Sequence, residues 1–196
     1  MKLLQAKKSL LTLISVIAYN IVICQTPQPP TVKFVSVNPK TDDITVAWYA
    51  SPESNVDSLF VYHITKTSPT VSGQPVFITR SNTNSQYTTN VSNIVSIGTQ
   101  NVKAALKFSV DVKKGGKYSA NLANYHQTIF ATAKFQNCPT KCIISWTKYK
   151  GPNTTVSKYN IYKSDNTGDI LLGNVSGADS TYNHVFQVGS GNYQYY

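Results

Sequence analysis

The chain has 196 residues, a formal charge of +10 and only 13 % charged residues, with thirteen tyrosines against one methionine. Its single glutamate, Glu53, leaves no pair of catalytic glutamates, and the composition is not that of a helical enzyme. The lysines are scattered and there is one arginine, Arg80, so the charge reads as a solvated basic surface and not as a nucleic-acid footprint.

Residues 1–24 read as a signal peptide. Lys2, Lys7 and Lys8 precede an apolar run from Leu10 to Ile23, interrupted by Thr12, Ser15, Tyr19 and Asn20. That is the length of an export core, too short and too interrupted for a membrane span. Cleavage after Cys24 sets Val22 and Cys24 at positions a signal peptidase accepts. A second reading lipidates Cys24, although Ile23 stands where such a site has a small residue. Three of the eighteen basic residues and none of the eight acidic ones lie in this leader, so the remainder carries +7. Removing 24 of 196 residues leaves 172, enough for two domains of roughly 80–100 residues. The product is expected to be secreted or on the cell surface, with no stable membrane span.

Residues 25–30 form a stiff, proline-rich lead-in. A first strand is expected over 32–37, a turn at Asp42-Asp43, and a second strand in which Ile44, Val46 and Trp48 share one face. The break at 51–54 is followed by a third strand with apolar residues on both faces and a short fourth at 76–78. Residues 81–93 are too polar to assign. A long strand is expected over 102–112, then a hairpin at Lys113-Lys114-Gly115-Gly116. Ile129, Ala131, Ala133 and Phe135 share a face of the next strand. Strands over 142–146, 156–163, 170–175 and 181–185 follow, with another starting at 193.

The pattern repeats. ITVAW at 44–48, followed by V-x-x-L-x-V-Y, reappears as CIISW at 142–146, followed by V-x-x-Y-x-I-Y. Trp48 and Trp146 are 98 positions apart; Tyr62 and Tyr162 are 100 apart. A solenoid unit recurs at roughly 20–50 residues, so this period is a whole domain. The four aromatic residues Trp48, Trp146, Tyr62 and Tyr162 are expected in the cores.

The rhythm, with Trp on the second strand, resembles the fibronectin type III sandwich. More narrowly, the blocks at 119–129, Cys138, 143–149 and 156–162 resemble tandem fibronectin type III modules of secreted Bacteroidetes surface proteins, with 181–196 resembling the strands that follow. In the first copy Leu106 and Phe108 replace the usual tyrosines. The resemblance implies an all-β fold of two tandem sandwiches, over 31–123 and 127–196, the second lacking its last strand. It also implies a large exported parent of the gliding or sorting-tail type, and a role for His126 in orienting the interdomain junction.

Candidate chemistry is sparse. Cys138 and Cys142 can form a disulfide across a tight C-x₃-C loop if Pro139 bends the chain enough. They lack the further ligands of a metal site. His63, His126 and His184 share no spacing. The DNTGD run at 165–169 reads as a hairpin turn, since a calcium loop needs a bidentate Glu and residue 176 is Ser. Sequons stand at Asn90, Asn153 and Asn174, and Asp57-Ser58-Leu59 and Asp179-Ser180-Thr181 resemble bacterial O-glycosylation sites. No catalytic residue, cofactor or metal site is expected. The expected role is a non-catalytic spacer or adhesion module, contacting an unknown protein or glycan through the loops at 51–56 and 151–156. The alternative is an accessory or carbohydrate-binding region of a secreted enzyme, for which Tyr149, Tyr159 and Tyr162 would form an exposed row.

Overall fold

The computed structural model describes residues 25–66, 70–79, 85–95, 104–119, 122–137, 140–165, 168–185 and 194–195. The expected leader over 1–24 and Cys138 lie outside the described residues. Among those residues the fold is built of antiparallel strands with one short helix.

The first repeat comprises β1 (Val32–Val37), β2 (Asp43–Trp48), β3 (Ser58–Lys66), β4 (Ser72–Thr79), β5 (Gln86–Asn90), α1 (Val91–Val95), β6 (Lys107–Lys114) and β7 (Lys117–Tyr118). They form two sheets, β1-β2-β5 and β4-β3-β6-β7. The linker strand β8 (His126–Gln127) pairs with the start of β6. The second repeat comprises β9 (Ala131–Asn137), β10 (Thr140–Trp146), β11 (Lys158–Asp165), β12 (Gly168–Ser176), β13 (Thr181–Val185) and β14 (Gln194–Tyr195). Its sheets are β13-β10-β9 and β12-β11-β14. Strand for strand this is the order of the first repeat, with β9 to β14 in the places of β1 to β6. Such a layout, three strands facing a sheet centred on the third, is that of a fibronectin type III-like sandwich.

Alternation accounts for the first core. Ile44, Val46 and Trp48 are fully buried from β2, and Leu59, Val61 and His63 from β3. Phe108, Val110 and Val112 of β6 stand opposite those three β3 residues in register. Ile94, from α1, closes the same cluster. Asn90 caps that helix: its Oδ1 accepts the Ser92 N–H at 3.0 Å, while its Nδ2 donates to Thr41 O at 2.8 Å. The nitrogen that a glycan would need is therefore engaged in the fold. Twelve buried residues make this core, against three (Cys142, Ile144 and Ile161) among the described residues of the second.

Both tryptophans have the same backbone frame. Trp48 N–H donates to Ser85 O and Tyr49 N–H to Thr31 O; Trp146 N–H donates to Ser180 O and Thr147 N–H to Phe130 O. Trp48 is fully buried, whereas Trp146 is half-buried against the smaller cluster. Tyr62 and Tyr162 are corrected. Each follows an inward residue, Val61 or Ile161, by one position, so the pleat turns it outward and leaves it half-buried. Tyr62 packs beside Phe60, itself 5.4 Å from the Tyr118 ring, on the outer face of its sheet.

One further expectation changes, and two others gain detail. The strand expected from residue 102 begins at Lys107, because Leu106 is bonded to Thr128 instead of to a neighbouring strand. Ala131, Ala133 and Phe135 share a face as expected, opposite Trp146, Ile144 and Cys142 in register, and with Ile129 they are exposed. The lead-in is docked: Pro27 and Pro30 are buried, and Gln28 N–H donates to Glu53 Oε1 at 2.9 Å. Glu53 in turn pairs with Lys114 at 2.8 Å, beside the β6–β7 turn. That turn requires Gly115 (φ 55°) and Gly116 (φ 79°) for their backbone conformation alone, since no atom crowds either position.

The two tryptophans should therefore differ in weight. Trp48→Ala is expected to cost about 3–5 kcal/mol, and Trp146→Ala about 1–3 kcal/mol because part of its ring already meets water. Urea unfolding of the two variants measures this. Equal losses would contradict the difference in burial.

Candidate functional site

The most elaborate polar arrangement lies where the repeats meet. Its centre is the linker at 126–128. Leu106 N–H donates to Thr128 Oγ1 at 2.9 Å, and Thr128 N–H donates back to Leu106 O at 2.8 Å. His126 and Gln127 pair with Phe108 and Lys107. On the other side Gln127 N–H donates to Lys150 O at 2.7 Å. Three consecutive residues are thus bonded to both repeats.

His126 is buried, with Nδ1 2.7 Å from the Tyr149 hydroxyl and its ring edge-on to the Tyr149 ring. The same hydroxyl accepts the Val35 N–H at 3.2 Å. A hydroxyl has one proton and two lone pairs, so the Tyr149 oxygen can accept from β1 and still share a hydrogen bond with Nδ1, the direction of which follows the imidazole tautomer. Burial lowers the His126 pKa. It raises that of Tyr149, partly offset by the Val35 N–H. The Tyr149 N–H donates to the Tyr159 hydroxyl at 3.1 Å, linking the junction to β11. A surface pair, Lys40 with Asp169 at 2.9 Å, also joins the repeats, but its exposure limits its worth.

Gly151 is the steric key. A Cβ there would stand 2.5 Å from two atoms of the His126 ring and 2.8 Å from Thr154 Oγ1. No side chain fits while His126 keeps its place.

The remaining candidates are separate from this site. Cys142 is a buried free thiol whose pKa is raised, chiefly by burial. Cys138, its expected disulfide partner, lies outside the described residues. His63 is buried in the first core, where burial lowers its pKa. His184 lies 3.3 Å from the Tyr195 hydroxyl, in the second repeat. Asp165 pairs with Gly168, giving the hairpin expected at 165–169. Tyr149 and Tyr159 do not form an exposed row; one hydroxyl is engaged at the junction and the other accepts from the first tyrosine's backbone. Among the described residues no three His, Cys, Asp or Glu side chains come together as a metal site would need, and no helix is long and apolar enough to cross a membrane.

Of the contact loops, 51–56 is partly taken up by the Glu53 clamp. Pro152 and Asn153 of the other line an open cleft of about 510 Å³ with Pro29, Pro30 and His126. Tyr149 as a junction residue was not legible in the sequence: its partners are 23 and 114 positions away. Thr128 and Glu53 likewise bond across distance, with no local motif to reveal them.

No family model matches the chain, and no curated protein matches it. Among solved structures it is similar to the crystal structure of the chicken CNTN1 FN1-FN3 domains, at 10 % sequence identity and a TM-score of 0.31. The match covers 86 % of this chain and 59 % of that one, so the chain spans less than two thirds of its length. The superposition is loose, and the fibronectin type III-like assignment stands on the strand order within each repeat.

Two outcomes follow from this geometry. His63 and His126 refuse a proton that the unfolded chain accepts near its ordinary pKa of 6.5. Their contribution is complete above that value and is lost as pH falls through it towards the lower folded pKa. Urea midpoints should decline between about pH 7.5 and 5.5, and His126→Gln should flatten the decline; an unchanged slope would remove His126 from the account. Gly151→Ala should displace the imidazole and destabilise the protein by about 1–3 kcal/mol. Loss of the His126–Tyr149 contact in NMR spectra is the accompanying sign, and its persistence would show that the loop can yield.

Proposed function

We propose that the chain is a non-catalytic, exported spacer or adhesion module of a larger cell-surface protein, with domains over 31–123 and 127–196. The observation that carries this reading is the linker at 126–128, whose hydrogen bonds run to residues 106–108 on one side and to Lys150 on the other. Tandem sandwiches joined this way hold a fixed reach, which suits a module that presents other surfaces. The apolar run at 10–23 after three lysines supports export. Protein or glycan contacts would fall to the exposed part of the 151–156 loop. The rival reading, a carbohydrate-binding accessory region, loses its aromatic platform because Tyr149 and Tyr159 are committed to the junction.

The fixed reach is open to measurement. Residual dipolar couplings fitted separately to the two repeats should return one common alignment tensor, and Tyr149→Ala should let the two diverge. Independent tensors in the unaltered chain would overturn the spacer reading.

A further inference from the structure

The open cleft at the junction is built by three stretches of chain that are distant in sequence. Residues 29–32 form one wall, Asn124 and His126 a second, and Pro152 and Asn153 of the second repeat a third. Its volume of about 510 Å³ falls in the range of small-molecule sites, which favour domain interfaces.

The walls select by chemistry. None of the described residues lining the cleft is a lysine, arginine, aspartate or glutamate. An ionic ligand therefore finds no counter-charge there. A wholly apolar one would strip water from Thr31, Asn153 and the imidazole without replacing its hydrogen bonds. Pro29, Pro30 and Pro152 offer saturated C–H surface and no amide donor. The Asn153 carboxamide presents a donor beside an acceptor, which suits two neighbouring hydroxyls.

His126 adds the most selective group. It is 4 % exposed, its Nδ1 is engaged with Tyr149, and its Nε2 has no hydrogen-bond partner among the described residues. A ligand hydroxyl both donates and accepts, so it satisfies Nε2 in either tautomer. Nearby backbone groups are already committed. The Val35 N–H is held by the Tyr149 hydroxyl, and Thr31 O accepts from the Tyr49 N–H. Recognition here falls to side chains, which disfavours an added peptide strand.

We propose that this cleft binds a neutral saccharide, one pyranose unit of a glycan, with Asn153 and His126 Nε2 bonded to its hydroxyls and the C–H face of the ring against the prolines. Because the walls come from both repeats, the sugar bridges the junction. The site needs no exposed aromatic row. It deepens the adhesion reading by naming the class of contact made by the 151–156 loop, and it rests on the fixed junction which that reading invokes.

The probes are methyl β-D-glucopyranoside, methyl β-D-galactopyranoside and methyl α-D-mannopyranoside. Each is titrated into the full chain to about 20 mM, enough to register a millimolar Kd. At least one should shift the NMR signals of the His126 ring and the Asn153 carboxamide together. Asn153→Gly keeps the left-handed backbone of that position (φ 55°) and removes the carboxamide. It should weaken binding about three- to tenfold, as loss of a neutral hydrogen bond does, with the urea midpoint near that of the parent. Thr31→Val, at an exposed position and of similar shape, should weaken it by a smaller factor. Silence from all three sugars, shifts confined to other residues, or undiminished binding by both variants would overturn the site. Equal shifts from the neutral peptide N-acetyl-alanine methylamide would overturn its assignment to sugars. One common alignment tensor without a sugar response sinks the site alone, whereas independent tensors sink the spacer reading with it.

Discussion

A strand can direct only every second side chain towards the opposing sheet, and the arrangement of both repeats follows from how that restriction is met. In the first repeat, β2, β3 and β6 each present a run of inward aliphatic or aromatic residues, and those of β3 and β6 meet in register. The helix residue Ile94 then closes one end. In the second, β10 and β11 follow the same alternation, but β9 presents Ala131, Ala133 and Phe135 to solvent. Among the described residues one sandwich is closed around a large core, and the other holds a small cluster and meets its neighbour through the junction.

One contact gives the junction its weight. A tyrosine hydroxyl shared between a β1 amide and a linker imidazole brings three chain segments to one atom. Charge on the imidazole would place a cation where burial opposes one. Gly151 preserves the arrangement by having no side chain. The surface pair of Lys40 and Asp169 adds orientation more than stability.

Much of the architecture was legible because it is local and periodic. The paired ITVAW and CIISW runs, the glycines of the 115–116 turn and the valines of β6 each identify their element from a few adjacent residues. The closing tyrosines were misread because V-x-x-L-x-V-Y carries apolar groups on both faces, so alternation alone does not say which face is inward. Residues 86–93 were unassigned because Asn90 ends a strand and caps a helix at once, and polar composition conceals both roles. The junction was least legible. The family likeness singled out His126, but Tyr149 became a partner only when residues 114 positions apart came within 3.2 Å.

The lone glutamate has a mechanical consequence. Gln28 is held by Glu53, and Glu53 by Lys114 at the end of β6, a strand in the middle of its sheet. Tension applied upstream of Gln28 would reach this clasp before it could peel β1 from β2. Load would enter the sandwich through an interior strand as well as through its margin, and parting the clasp would be the first step of mechanical yielding.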